Sequence, residues 1–139
     1  MTPNSKKVLC VDDDIDDQLI VSETIQEIDD SLEVATALNG QEALEFLEQA
    51  KSNGEFPCLI IMDINMPLMD GKQALVEIKK DKELDHVPIV MFTTSSSQLD
   101  MTFCEKYGVE FITKPIDMQG FRATVHRLLS LCVTPKENH

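Results

Sequence analysis

Basic residues are scarce in this 139-residue sequence: twelve lysines and arginines stand against twenty-five aspartates and glutamates, a formal net charge of −13. A chain so acidic repels phosphate backbones and anionic lipid, which argues against direct binding of nucleic acid or membrane. Long apolar runs are missing too. No stretch could span a bilayer, and only four apolar residues follow the polar start Met1-Thr2-Pro3-Asn4-Ser5-Lys6-Lys7, too few for a signal peptide, so a cytoplasmic location is expected. Cys10, Cys58, Cys104 and Cys132 include no CxxC pair. They read as small core or half-buried residues in a reduced compartment, and no zinc site is expected. His86, His126 and His139 have no carboxylate or cysteine partner at a persuasive ligand spacing. The absence of a glycine-rich phosphate loop argues against a bound nucleotide. There is no internal repeat, low-complexity segment or linker, and the length suits one domain over residues 1–139, with flexible tails expected at 1–5 and 134–139.

What the sequence does contain is a series of short apolar runs that each end in polar residues. The central one is Leu59-Ile60-Ile61-Met62, which reads as a strand buried on both faces with Asp63 at its C-terminal end and the turn Asn65-Met66-Pro67-Leu68-Met69-Asp70-Gly71 beyond. Val8 to Val11 is a similar strand ending in Asp12-Asp13-Asp14. From Ile15 the period becomes helical, with Val21, Ile25 and Ile28 on one face. Leu32 to Ala37 reads as a second strand. Asn39 is placed to cap the next helix with Glu42 reaching back to it; Ala43, Phe46, Leu47 and Ala50 form the helix's stripe and Asn53-Gly54 its end. Asp70 caps a third helix with Ala74, Leu75 and Ile78 inward.

Pro88 to Phe92 is the fourth buried strand, followed by Thr93-Thr94-Ser95-Ser96-Ser97. One of these hydroxyls should cap a fourth helix carrying Leu99, Phe103, Cys104 and Tyr107, which Gly108 closes. Val109 to Ile112 is the fifth strand, leading to Thr113-Lys114-Pro115. Asp117 caps the last helix, where Ile116 and Phe121 have the spacing of a hydrophobic staple and Phe121, Val125, Leu128 and Cys132 share a face. Five strands alternating with five helices predict an α/β fold, a doubly wound five-stranded parallel sheet of flavodoxin-like (βα)5 type with order 2-1-3-4-5. That order makes the first and third strands neighbours, so Asp12, Asp13 and Asp63 meet at the carboxyl edge.

Three carboxylates in one place cannot all stay charged unless protons or a cation join them. An all-oxygen set of this kind suits Mg²⁺, and Mg²⁺ beside an aspartate suits phosphoryl chemistry. Thr93 and Lys114, at the ends of other strands, are candidates to neutralise phosphoryl oxygens on a nucleophilic aspartate. The string Asp12-x-Asp14-x-Asp16 with Glu23 imitates a calcium loop, but Asp17 stands where that loop needs glycine.

The segments VLCVDDD at 8–14, LIIMDINMPLMDG at 59–71, PIVMFTT at 88–94 and FITKP at 111–115 resemble, in order and across nearly the whole chain, the receiver domain of two-component response regulators, and are similar to the stand-alone chemotaxis-type members. The resemblance implies that Asp63 is the phosphoacceptor, taking a phosphoryl group from a phosphohistidine of a sensor kinase or histidine phosphotransfer protein. It implies that Asp13 binds Mg²⁺ directly, that Asp12 binds or orients it through water, and that the backbone carbonyl of Asn65 adds a ligand. Thr93 and Phe111 would form the switch, and Lys114 would pair with the phosphoryl group ahead of a cis bond to Pro115. Partners, or a second copy of the chain, would read the face of the fourth helix, fifth strand and fifth helix. With 24 residues from Ile116 onward, no DNA-binding output domain is expected. Phe111 stands where many relatives have tyrosine, and Thr94 is bulkier than the alanine common there. A rival class, haloacid-dehalogenase-like phosphatases, also uses an aspartate nucleophile with Mg²⁺, but needs a second aspartate as general acid where this chain has Asn65. A receiver-like fold that binds partners without phosphorylation is a third alternative, disfavoured by the intact acidic cluster.

Overall fold

The computed structural model describes residues 6–132; the expected tails at 1–5 and 134–139 lie outside them. The elements are β1 (Lys7–Val11), α1 (Ile15–Ile28), β2 (Glu33–Ala37), α2 (Gly40–Asn53), β3 (Leu59–Met62), α3 (Gly71–Lys80), β4 (Ile89–Thr93), α4 (Gln98–Lys106), β5 (Glu110–Thr113) and α5 (Met118–Leu128), with a 3₁₀ turn at Leu129–Leu131. All strand pairs are parallel and the order is β2-β1-β3-β4-β5, as expected.

Alternation along the strands divides the core into two layers. Leu9, Val11, Ile60, Met62 and Met91 face α2, α3 and α4 through Ala43, Leu47, Ala74, Leu75, Ile78 and Cys104. Val8, Cys10, Leu59, Ile61, Val90 and Phe92 face α1 and α5 through Val21, Ile25, Phe121, Val125 and Leu128. Apart from Lys7 at the start of β1 and Thr93 at the end of β4, the central strands are apolar throughout, as a sheet covered on both sides allows.

The helix ends obey local chemistry. Asn39, Asp70 and Asp117 cap their helices through side-chain oxygens, as the sequence predicts, and Asp70 forms a full capping box with Gln73. Ser97 is the hydroxyl that caps α4. Gly54 and Gly108 take the left-handed φ values of 75° and 70° that close α2 and α4 without strain. Glu42 reaches back to the amide of Leu38, one residue before the cap.

Several expectations fail, most of them for a long-range reason. Ile116 is fully exposed, so it makes no staple with the buried Phe121. Leu99 is also exposed, because the cap at Ser97 sets a phase that turns Asp100 and Cys104 inward. The bond from Lys114 to Pro115 is trans, as are all peptide bonds among the described residues; the two isomers of such a bond lie within about 1 kcal/mol before tertiary contacts decide. Cys58 and Cys132 are joined in a disulfide with Cα atoms 4.8 Å apart, contrary to the expectation of four free thiols. Cys132, just beyond α5, lies against Cys58 at the start of β3, a proximity that a sequence separation of 74 conceals. Cys10 and Cys104 are free and buried, as expected.

Candidate functional site: an acidic cluster at the carboxyl edge

The sheet places the site by extending its hydrogen bonding past the strand ends. Val11 pairs with Met62, and the next residues are Asp12 and Asp63. The amide of Asp63 donates to the carbonyl of Val11 at 2.9 Å, that of Asp12 to Ala37 at 3.0 Å, and that of Lys114 to Thr93 at 2.7 Å. The backbones that carry the site are thus fixed by the same ladder that makes the core.

Side chains converge from there. Carboxylate oxygens of Asp12, Asp13 and Asp63 lie within 4.8 Å of one another, Asp12 and Asp63 buried and Asp13 exposed. Asp63 Oδ1 accepts from the amide of Ile64 at 2.7 Å and Oδ2 from Lys114 Nζ at 3.3 Å. The same ammonium donates to Asp12 Oδ2 at 2.7 Å and to Asp17 Oδ2 at 2.8 Å. Three carboxylates therefore share one ammonium, and Asp13 adds a fourth carboxylate to the cluster. Burial pushes the Asp12 carboxyl up to about 6, although Lys114 and the amide of Asp14 pull the other way. Burial also disfavours the charged form of Lys114, but hydrogen bonds to Asp12 and Asp17 outweigh it and hold the lysine above its ordinary value, so it stays an ammonium. Uncompensated negative charge on oxygen donors, open on the Asp13 side, is the donor set a hard divalent cation prefers.

Thr93 is fully buried at the end of β4, and its Oγ1 accepts from the amide of Ser95 at 3.2 Å. Phe111 is half-buried on β5, paired with Met91 and packed against the core layer of α2 to α4. Asn65 is exposed two residues after Asp63, and Pro115 is half-buried beside Lys114. Lys114, Pro115 and Thr94 line a cleft of about 270 Å³ with Asp17, Ile20 and Ile116.

This arrangement coincides with a family match: residues 8–126 match the response regulator receiver domain. The chain belongs to that family. The receiver domain is 34% identical over 98 residues to response regulator Rcp1 of Synechocystis, covering 69% of this chain and 67% of Rcp1. The crystal structure of the phosphorylated cyanobacterial phytochrome response regulator RcpA superposes with a TM-score of 0.84 at 30% identity, over 91% of this chain and 92% of that one. The Mn²⁺-bound form of Rcp1 gives 0.81 at 29%, over 89% and 91%. Against the probable transcriptional regulator ycf27 of Cyanophora paradoxa, identity is 31% over 97% of this chain, which spans about half (53%) of ycf27.

Two residues that hold this receiver site together, Asp17 and Gln18, escape a reading by motif, and a third, Gly71, stands in a quoted motif without its packing role being read. Asp17, in the first turn of α1, is a further carboxylate on Lys114 beside Asp12 and Asp63. Gln18 is buried and donates from Nε2 to the carbonyls of both Asp12 and Ala37 at 2.8 Å, tying α1 to the sheet edge. The signal was available, because Gln18 falls three positions before Val21 and seven before Ile25, a polar residue on an apolar stripe. Gly71 packs so closely that a Cβ there would lie 2.2 Å from the carbonyl oxygen of Asp63, which confines the position to glycine.

Proposed function

We propose that Asp63 accepts a phosphoryl group from a phosphohistidine on a sensor kinase or a histidine phosphotransfer protein. The Asp63 carboxylate forms a P–O bond as the P–N bond breaks, and the released imidazole nitrogen keeps the electron pair and takes a proton from solvent. The observation that carries this reading is the convergence of Asp12, Asp13 and Asp63 within 4.8 Å, with Lys114 on the same Asp63 oxygen-bearing edge. Asp12, Asp13, Asp63 and the carbonyl of Asn65 would hold Mg²⁺, which supplies positive charge against the phosphoryl oxygens. Lys114 is already a buried ammonium on Asp63 and needs no recruitment. Thr93 turns its hydroxyl toward the transferred group, and Phe111 follows it.

The output is binding. The face of α4, β5 and α5 changes with Thr93 and Phe111, and a target protein or a second copy of the chain reads the change. Water returns the acceptor to its free form by slow hydrolysis. The test is intact mass after incubation with acetyl phosphate: a gain of one phosphoryl group that requires Mg²⁺ supports the reading, and a gain that survives metal removal or Asp63→Asn contradicts it. Sizing the product reads the oligomeric state directly.

A further inference from the structure

Beyond the acceptor itself, the structure holds a polar connection between the first turn of α3 and the threonine at the end of β4. Asp100 is the third residue of α4, where an acid is ordinarily solvated and favoured by the helix N-terminus. Here it is buried. Its Oδ2 accepts from Ser95 Oγ at 2.6 Å and its Oδ1 from Lys72 Nζ at 2.7 Å. Lys72 also lies over the Phe103 ring, 5.6 Å from its centroid. It follows Gly71, the residue packed on the Asp63 carbonyl, so one end of the connection is anchored beside the acceptor. At the other end, the amide of Ser95 donates to Thr93 Oγ1.

A buried carboxylate costs a great deal once either partner leaves, so this network is either intact or broken, with little between. Intact, it fixes Ser95, and Ser95 fixes the Thr93 hydroxyl. We propose that Asp100 is a positioning residue for Thr93, holding it through Ser95 in the resting arrangement, so that phosphoryl binding at Asp63 must draw Thr93 away against this latch. The proposal rests on the phosphoacceptor reading above. It predicts that weakening the latch raises the population of the binding-competent arrangement and with it the apparent affinity for a phosphoryl group.

Beryllofluoride, titrated calorimetrically into the full chain with Mg²⁺, is the probe. Asp100→Asn and Lys72→Met are each expected to raise its affinity about three- to tenfold, while Asp100→Asn in a Thr93→Ala background changes nothing. The last arm separates positioning from general loosening, which would act with or without the hydroxyl. Unchanged or weaker binding in the folded Asp100→Asn protein, or an equal gain in the Thr93→Ala background, overturns the proposal. If Asp100→Asn does not fold, Lys72→Met with and without Thr93→Ala decides in the same way. Failure of the wild type to bind, or binding unaffected by Asp63→Asn, overturns the phosphoacceptor reading and this inference with it.

Discussion

Leu68 carries a φ of 68°, where a β-carbon crowds the following carbonyl, and sits at the centre of a tight turn closed by the amide of Met69 on the carbonyl of Pro67. Its side chain is 88% exposed, so nothing is gained from packing to offset the strain. Leu68→Gly is expected to stabilise the protein by about 0.5–1 kcal/mol, the relief of strain exceeding the entropy of a freer unfolded chain; a lower urea midpoint would contradict this. Thr94 is exposed and follows the buried Thr93 of the site. If its bulk hinders access of donor and water to Asp63, phosphorylation of Thr94→Ala by acetyl phosphate and loss of the group should both quicken about threefold, roughly 0.6 kcal/mol of barrier. Equal rates would remove Thr94 from the account. The residues that meet at the candidate site were legible because Asp12, Asp63 and Thr93 each follow an apolar run directly and Lys114 follows Phe111-Ile112 after one threonine. Asp17 and Gln18 were harder, because their partners belong to other elements and no local pattern names them.

At the scale of the elements, α4 is attached to the rest of the domain by charge as much as by apolar contact. Lys72 and the Ser95 hydroxyl hold the Asp100 carboxyl below the ordinary carboxylate range. Its folded pKa is thus lower than its unfolded one, so the stability it contributes is present above the unfolded value of about 3.9 and is lost as pH falls through the folded value. Asp100→Asn should cost roughly 1–3 kcal/mol near neutrality. The gap between the two proteins in urea should close as the pH is taken below about 4, whereas a gap unchanged in acid would mean that charge is not what binds α4. Helix starts were legible in the sequence because a cap is local: Asn39, Asp70 and Asp117 each act within three residues. What the sequence hid was the outward or inward aim of single residues at helix starts. Leu99 points to solvent because the Ser97 cap sets the phase of α4, and Ile116 is exposed although its spacing from Phe121 suggested a contact.

For the molecule as a whole, alternation and right-handed crossovers leave few arrangements for five apolar runs, and the flavodoxin-like order chosen among them is the order of the sheet. The Cys58–Cys132 disulfide did not follow, since only the finished topology brings the end of α5 under β3. With its ends separated by 74 positions in sequence, the bond should stabilise the fold by about 4 kcal/mol on loop-entropy grounds. Reductant should lower the urea midpoint of the wild type and leave Cys58→Ser unaffected, and finding four free thiols by alkylation and mass would contradict this. The acidic cluster is the point on which the sheet edge and the turn at Gly71 converge. The most direct test of its chemistry is to trap the acetyl phosphate product with borohydride and locate the reduced residue by peptide sequencing. The account predicts modification at residue 63 alone, and only when Mg²⁺ was present. Modification at Asp12 or Asp13, or none with Mg²⁺ supplied, would contradict it.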